Sequence, residues 1–376
     1  MDAFARAIGE RRGGLTPNDA GERPLECWVG RVAGVEHAEL PPPMASWESR
    51  NNRLAWLGLN QDGFLNEAIK LRERVGAPRV ALVLGTSTAS MDQTERAYRD
   101  LDANGHFSAS QRSSRVHQMH SLGAFVQTVL GTTGPCLTIS TACSSSAKVF
   151  ASAARLIRAG LADAAIVGGV DTLCGSVLYG FNSLGLVSTQ PCRPFDVERS
   201  GLSLGEAAGF AIVENAASSD AIAILAGYGE SADAHHMSAP HPQGLGAELA
   251  MNDALARAGC TPAQVDYVNL HGTASAQNDV VEARLIARHF PQTTLAGSTK
   301  GWTGHTLGAA GIVEAAVAML AIERGLVPGT LNTRKLDPAC GPQIRVENSE
   351  RQVRVAMSNS FGFGGNNCCL VFAAAP

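Results

Sequence analysis

Short, unbroken apolar runs bounded by turn residues recur along this chain and predict buried strands. They cover Arg79 to Gly85, Cys136 to Ile139, Ala164 to Gly169, Gly209 to Glu214, Ile222 to Gly227, Val265 to Leu270, Thr294 to Gly297, Val353 to Ser358 and Cys368 to Phe372. Between them, apolar positions repeat at helical spacing. That spacing predicts helices over residues 2–12, 55–73, 120–130, 147–158, 245–258 and 309–324. Residues 15–53 are rich in proline and turn residues and carry no strong period. The polar stretch 92–118 reads as a loop with helical pieces, and 193–205 as a loop. Alternating strands and helices make the class α/β with largely parallel, buried sheets. One unit occurs twice, at 135–160 and at 294–324: a strand, a turn of Ser, Thr and Cys or His, then an Ala-rich helix. The repetition fits two pseudo-symmetric halves, residues 1–220 and 221–376, meeting near the small-residue turn Ser218-Ser219-Asp220.

Composition narrows the classes. The chain has 376 residues, a net charge of −4 and no block of lysine or arginine, which argues against a nucleic-acid surface. An acidic partner protein would need a local basic patch. The apolar runs fall short of a membrane span, and residues 1–15 lack the apolar stretch of a signal peptide, so a cytoplasmic address is expected. Nine cysteines lie scattered without metal-ligand spacing. Reduced thiols and no metal are the expectation.

Four stretches could carry chemistry. Cys143 sits where the strand at 136–139 gives way to a helix, among Thr141, Ser144, Ser145 and Ser146. A helix N-terminus lowers a thiol's pKa and favours the thiolate, although a small cysteine also simply fits a tight turn. His271 ends a buried strand before a glycine. Lys300 and His305 share a Gly-rich turn at a helix start, with Glu314 further along. Ser360-Phe361-Gly362-Phe363-Gly364-Gly365 combines glycines that admit a ligand with aromatics that can swing as gates. Taken one at a time, each is also ordinary turn chemistry.

Taken together and in this order, they resemble the β-ketoacyl-acyl-carrier-protein synthases of the thiolase fold, in the Cys-His-His branch. The matching stretches are 141–146, Cys-Arg-Pro-Phe-Asp at 192–196, Gly-Glu-Ala-Ala-Gly at 205–209, His-Gly-Thr at 271–273 with Glu282, Lys300 with 304–311, and 360–365. The resemblance implies a layered αβαβα core of two similar halves and decarboxylative condensation of a malonyl thioester with an enzyme-bound acyl chain. By it, Cys143 is the nucleophile, His271 and His305 hold the malonyl thioester oxygen, and Lys300 keeps the polar network charged, with Glu314 or Glu282 as ion partner. Phe363 resembles the aromatic gate, and its N–H with that of Cys143 the oxyanion hole. Thr273 and Ser275 fall where the family binds the pantetheine arm through hydroxyls, and Phe361 is a further substrate-binding residue. No cofactor is implied, because the substrates ride on the phosphopantetheine of an acyl carrier protein. A homodimer, or a heterodimer with a chain-length partner, is expected.

Three departures stand out. Ser275 replaces a threonine and keeps the hydroxyl, and Ala207 replaces a glycine. The family's opening apolar strand, expected at the centre of the N-terminal sheet, has no counterpart before the helix at 2–12. Competing readings are a degradative thiolase, suggested by Cys368-Cys369, an enzyme that primes from acyl-CoA, and a catalytic or chain-length-shaping subunit of a specialised polyketide or aryl-polyene heterodimer.

Overall fold

In the computed structural model, all residues are described except 20–23, 114, 216–220 and 376, so the turn expected at Ser218–Asp220 lies outside the described residues. The chain opens with α1 (Asp2–Gly9), a small hairpin of β1 (Leu15–Pro17) and β2 (Trp28–Gly30), α2 (Arg50–Leu59) and α3 (Phe64–Val75). Then follow β3 (Val80–Gly85), α4 (Met91–Arg99), α5 (Ser121–Leu130), β4 (Cys136–Ile139), α6 (Ser145–Arg158), β5 (Ala164–Asp171) and α7 (Gly175–Ser183). Next come β6 (Leu204–Gly205), β7 (Ala207–Glu214), β8 (Ile224–Ala232), α8 (Leu245–Ala258), β9 (Tyr267–Asn269), α9 (Ala276–His289) and β10 (Leu295–Gly297). The chain closes with α10 (Lys300–Thr303), α11 (Ala310–Arg324), β11 (Leu326–Val327), β12 (Ser349–Glu350), β13 (Val355–Gly362) and β14 (Asn366–Ala373).

Two sheets dominate, ordered β4-β3-β5-β7 and β10-β9-β13-β14-β8. Side-chain alternation builds the layers from them. On β3, Ala81 and Val83 face one core while Val80, Leu82 and Leu84 face another with α2, α3 and α5. On β14, Cys368, Leu370 and Phe372 join the core of Ala81 and Val83, whereas Cys369 and Val371 turn to α8 and α9. The shared core therefore lies between the sheets. It is filled by α6 and α11, through Val149, Phe150, Ile312 and Leu320 among others. Fully burying such a side chain contributes about 1.5–3 kcal/mol, which is why α11 is apolar on nearly all sides. The layers run helix, sheet, helix, sheet, helix, the thiolase-like α/β fold that was expected.

Local details depart from the pattern reading. The predicted helix at 55–73 is two helices, because Asp62 (φ 51°) and Gly63 (φ 75°) take left-handed backbone between α2 and α3. Strand β13 runs on through Phe361 and Gly362, residues expected in a loop. The N-terminal sheet pairs β4, β3, β5 and β7 without an interior gap. This corrects the expectation that a central strand is missing. Compared with the C-terminal sheet, the strand position without a counterpart among the described residues lies beyond the outer edge of β7, the position that β8 fills beside β14.

Candidate active site

The turn after β4 is tied by its own serines. Ser145 Oγ accepts from Thr141 N (2.9 Å) and donates to Ala142 O (2.6 Å), while Ser144 Oγ donates to Thr141 O (2.9 Å). These bonds hold Ala142 at φ 51°, a left-handed conformation that a non-glycine residue adopts only when its surroundings impose it. Cys143 follows directly. The first turn of α6 is wedged between backbones: a Cβ on Gly85 would lie 2.5 Å from Ser146 N, and one on Gly311 2.3 Å from Ala147 N. Ser146 Oγ accepts from Ile312 N (2.9 Å), linking the starts of α6 and α11.

The C-terminal half brings its residues to the same point from three junctions. Glu282 on α9 accepts from His271 N (2.9 Å), Gly272 N (2.8 Å) and Asn359 Nδ2 (3.3 Å), fixing the backbone under the His271 ring. Glu282 is thus a backbone clamp, and the ion partner of Lys300 is Glu314 alone of the two carboxylates. Lys300 Nζ also donates to His271 O and faces His271 Nδ1 at 3.4 Å. Asp279 accepts from Phe195 N (2.7 Å) and Ala274 N (3.2 Å), tying the 192–196 loop to the loop after His271. His305 reaches the site over Leu307, itself at φ 57°, whose N–H donates to His305 Nδ1 (3.3 Å).

These elements set His305 Nε2 2.9 Å from Cys143 Sγ, with the His271 and His305 rings edge to face at 5.4 Å. One ligand atom each of Cys143, His271 and His305 falls within 4.8 Å of the others. All three residues are buried, and they sit at the floor of a pocket of about 380 Å³. Thr273 and Ser275 line its wall, their hydroxyls 3.0 Å apart, and Phe361 and Phe363 line it too. Phe363 stacks on Phe181 of α7, centroids 5.4 Å apart and planes 20° from parallel. Cys368 and Cys369 are buried in β14 and do not line this pocket, which removes the second thiol that a degradative thiolase would need there.

Electrostatics corrects one expectation. Burial pushes the Cys143 thiol up to about 11, and the Lys300 charge and the Phe363 N–H pull it back only in part. Desolvation therefore outweighs the helix N-terminus here, and the resting group is the thiol. Burial, then the Lys300 charge, holds both imidazoles well below the usual histidine range, so both are neutral. Lysine only donates, and so does a backbone N–H, so each Nδ1 is an acceptor and each proton sits on Nε2. The site thus presents two neutral N–H donors beside one sulfur. Burial likewise raises the Glu314 carboxyl, against the pull of Lys300, and pushes Glu282 up to about 7.

Sequence reasoning missed Asp171, Phe181 and Asn359. Asp171, at the end of β5, accepts from the Thr86 and Thr88 hydroxyls (2.6 and 2.7 Å) and from Gly308 N (2.5 Å), anchoring the turn after His305. A lone carboxylate ending an all-apolar run was the available signal. Phe181 had none, because α7 carries no marked period.

Known proteins give the same picture. Residues 52–219 match the N-terminal domain of the β-ketoacyl synthase family and residues 222–334 its C-terminal domain. The chain is 40% identical over 264 residues to the mitochondrial 3-oxoacyl-[acyl-carrier-protein] synthase of Arabidopsis thaliana, over 65% of this chain and 57% of that protein. It is 38% identical to nodulation protein E of Rhizobium meliloti (strain 1021), over 79% of this chain and 76% of the relative. A ketosynthase from Xenorhabdus doucetiae, solved in complex with its chain length factor, superposes with a TM-score of 0.88 at 36% identity, over 100% of this chain and 94% of that one. Such agreement in sequence, fold and cysteine–histidine geometry leaves one assignment: this chain belongs to the β-ketoacyl synthase family and is a condensing acyltransferase of fatty-acid or polyketide elongation.

Proposed function

We propose that this enzyme joins an acyl chain held on Cys143 to a malonyl group delivered by an acyl carrier protein, releasing CO₂ and a 3-oxoacyl-carrier thioester. The observation that carries the reading is the pair of Nε2–H donors converging beside the Cys143 sulfur. In the first step Cys143 Sγ bonds to the acyl carbonyl carbon, the carrier's thiolate leaves, and the cysteine's proton goes to it. The N–H groups of Cys143 and Phe363 form the oxyanion hole. In the second step the malonyl C–CO₂ bond breaks, and its electron pair becomes an enolate whose oxygen accepts from His271 and His305. Neutral donors suit this role, because they stabilise the developing charge without giving up a proton to the carbon. The enolate carbon then attacks the acyl thioester and expels the Cys143 thiolate.

Lys300 holds His271 in its donor tautomer and is neutralised by Glu314. Glu282 fixes the His271 backbone, Thr273, Ser275 and Phe361 receive the pantetheine arm, and Phe363 gates the acyl chain. The nucleophile belongs to residues 1–220 and the donor pair to residues 221–376. A paired assembly in the cytoplasm accompanies this reading. Strand β4 is a sheet edge with Leu137 42% exposed, a surface suited to continuing the sheet into a second chain. Similarity to a ketosynthase solved with its chain length factor favours a chain-length partner over a second copy as that chain.

The test is incubation with acyl-carriers of graded length plus malonyl-carrier, with and without a candidate partner chain, products read by mass. Chain-extended 3-oxoacyl products are expected. An acyl-enzyme that still forms after Cys143→Ala would overturn the assignment.

A further inference from the structure

A thiol and two imidazoles whose ligand atoms lie within 4.8 Å of one another are the donor set of a thiophilic cation site, His₂Cys with a fourth position open to the pocket. No sequence spacing announced it, since Cys143, His271 and His305 come from three separate junctions. Any free zinc ion reaching this floor would block the nucleophile and both donors together. What surrounds the cluster, however, is the reverse of a metal site. Imidazoles that ligate a metal usually donate their far N–H to a carboxylate or a carbonyl, which leaves the near nitrogen bare. Here the far nitrogen of each ring accepts instead, from Leu307 N–H for His305 and from the Lys300 ammonium for His271. Both near nitrogens therefore carry protons. Lys300 places its ammonium, buried and ion-paired with Glu314, behind the ring that a cation would have to approach, and the Glu314 carboxylate lies on its far side.

The geometry points to a second role for Lys300: it keeps thiophilic divalent cations out of the Cys143–His271–His305 cluster, and removing its charge turns the cluster into a metal site. Replacing Lys300 by an uncharged chain of similar shape does two things. It removes the repulsion, and it leaves the Glu314 carboxylate, until then paired with Lys300, free to accept from His271 Nδ1–H. The second shell becomes carboxylate–histidine–metal, the arrangement that favours ligation. Binding would release the Cys143 thiol proton to solvent as the sulfur–metal bond forms. The inference rests on the cluster's geometry and not on the condensation reaction.

Cobalt(II) is the probe, because a cobalt–thiolate bond gives a near-ultraviolet charge-transfer band that does not depend on turnover. Lys300→Met is expected to bind one equivalent about ten- to a hundredfold more tightly than the wild type. Lys300→Met/Glu314→Gln, which lacks the acceptor carboxylate, should fall between them and serves if the single variant does not fold. Adding Cys143→Ala should abolish the band in either background. In the wild type, zinc should leave the rate of Cys143 alkylation by iodoacetamide unchanged, whereas in Lys300→Met it should slow it more than tenfold and EDTA should restore it. A wild-type cobalt band as tight as that of Lys300→Met, wild-type protection by zinc, or a band that survives Cys143→Ala overturns the proposal. Acyl-enzyme formation by the untreated wild type, followed in parallel, reports separately on the proposed function.

Discussion

The two large sheets are one frame built twice. In each, two parallel pairings lead to an antiparallel one, β4-β3-β5-β7 matching β10-β9-β13-β14 strand for strand. In each, a strand-to-helix turn opens onto the shared pocket. The turns differ in how they are held. The one before α6 is tied by the hydroxyls of Ser144 and Ser145 and delivers a sulfur. The turns that deliver the imidazoles are held by buried carboxylates, Glu282 and Asp279 for the one carrying His271 and Asp171 for the one carrying His305. Hydroxyls suit a turn that must stay small and neutral beside a thiol. Carboxylates suit one whose backbone N–H groups need strong acceptors away from water. The same frame thus sets a buried thiol from one turn beside two imidazoles from the others, the nucleophile and the electrophilic clamp of the proposed reaction.

The sharpest way to break that division is to remove the sulfur. Cys143→Ala should lower acyl-enzyme formation by at least ~10³-fold while malonyl-carrier decarboxylation persists, because both imidazoles remain. Intact-protein mass and CO₂ release measure the two. Parallel loss of both reactions would show that the halves do not divide the work.

The converse change is next in size. His305→Ala should still permit acylation but lower decarboxylation by ~10²–10³-fold, the usual loss when one oxyanion donor is removed. Because His305 Nε2 also touches Cys143 Sγ, acylation should fall too, by a smaller factor. An equal fall in both would place His305 on the nucleophile's side of the comparison.

How much of this was legible follows from which forces leave a local trace. Unbroken apolar runs such as Val80–Gly85 are strands because both faces are covered, and sequence shows this directly. The break at Asp62 and the helix Ala276–His289 were not legible. The first is a backbone conformation that aspartate tolerates without advertising, and the second carries polar residues that disguise its period. Cys143, His271, Lys300 and His305 were singled out by the order and intervals of six stretches taken together, since each alone reads as ordinary turn chemistry. The thiol's upward shift was not found, because burial is a property of the packed whole. Nor was the strain at Ala142 and Leu307, which serine hydroxyls and distant backbone impose on residues of ordinary type.

The extra strand tests the frame rather than the chemistry. A Cβ on Gly229 of β8 would lie 1.9 Å from Ala250 O of α8, a backbone atom that cannot move aside. Gly229→Ala should therefore destabilise by at least ~2 kcal/mol, read as a lower denaturation midpoint. The same exchange at Gly180 on α7, where a Cβ meets nothing within 4 Å, should change stability by less than ~1 kcal/mol. If the two changes prove equal, β8 is not the packed outer strand of the C-terminal sheet.

The smallest effect separates the halves by pH. Glu282, pushed up to about 7 by burial, accepts three N–H bonds only as a carboxylate. Below that pH its added proton takes one acceptor position, and the His271 backbone loosens by roughly one hydrogen bond, worth about 0.5–1.5 kcal/mol or two- to tenfold in rate. Decarboxylation should then fall as pH drops through 7. Acyl-enzyme formation, governed by a thiol near 11, should climb steadily with pH and show no step there. Stability runs the other way. The folded protein keeps the Glu282 proton up to about 7 while the unfolded chain loses it near 4.5, so this group lowers stability as pH rises between those values, by on the order of 3 kcal/mol. Glu282→Gln should remove both trends at once, leaving decarboxylation slow and flat with pH. A step near 7 that survives the substitution would have to come from another group, and the carboxylate clamp would lose its part in distinguishing the two turns.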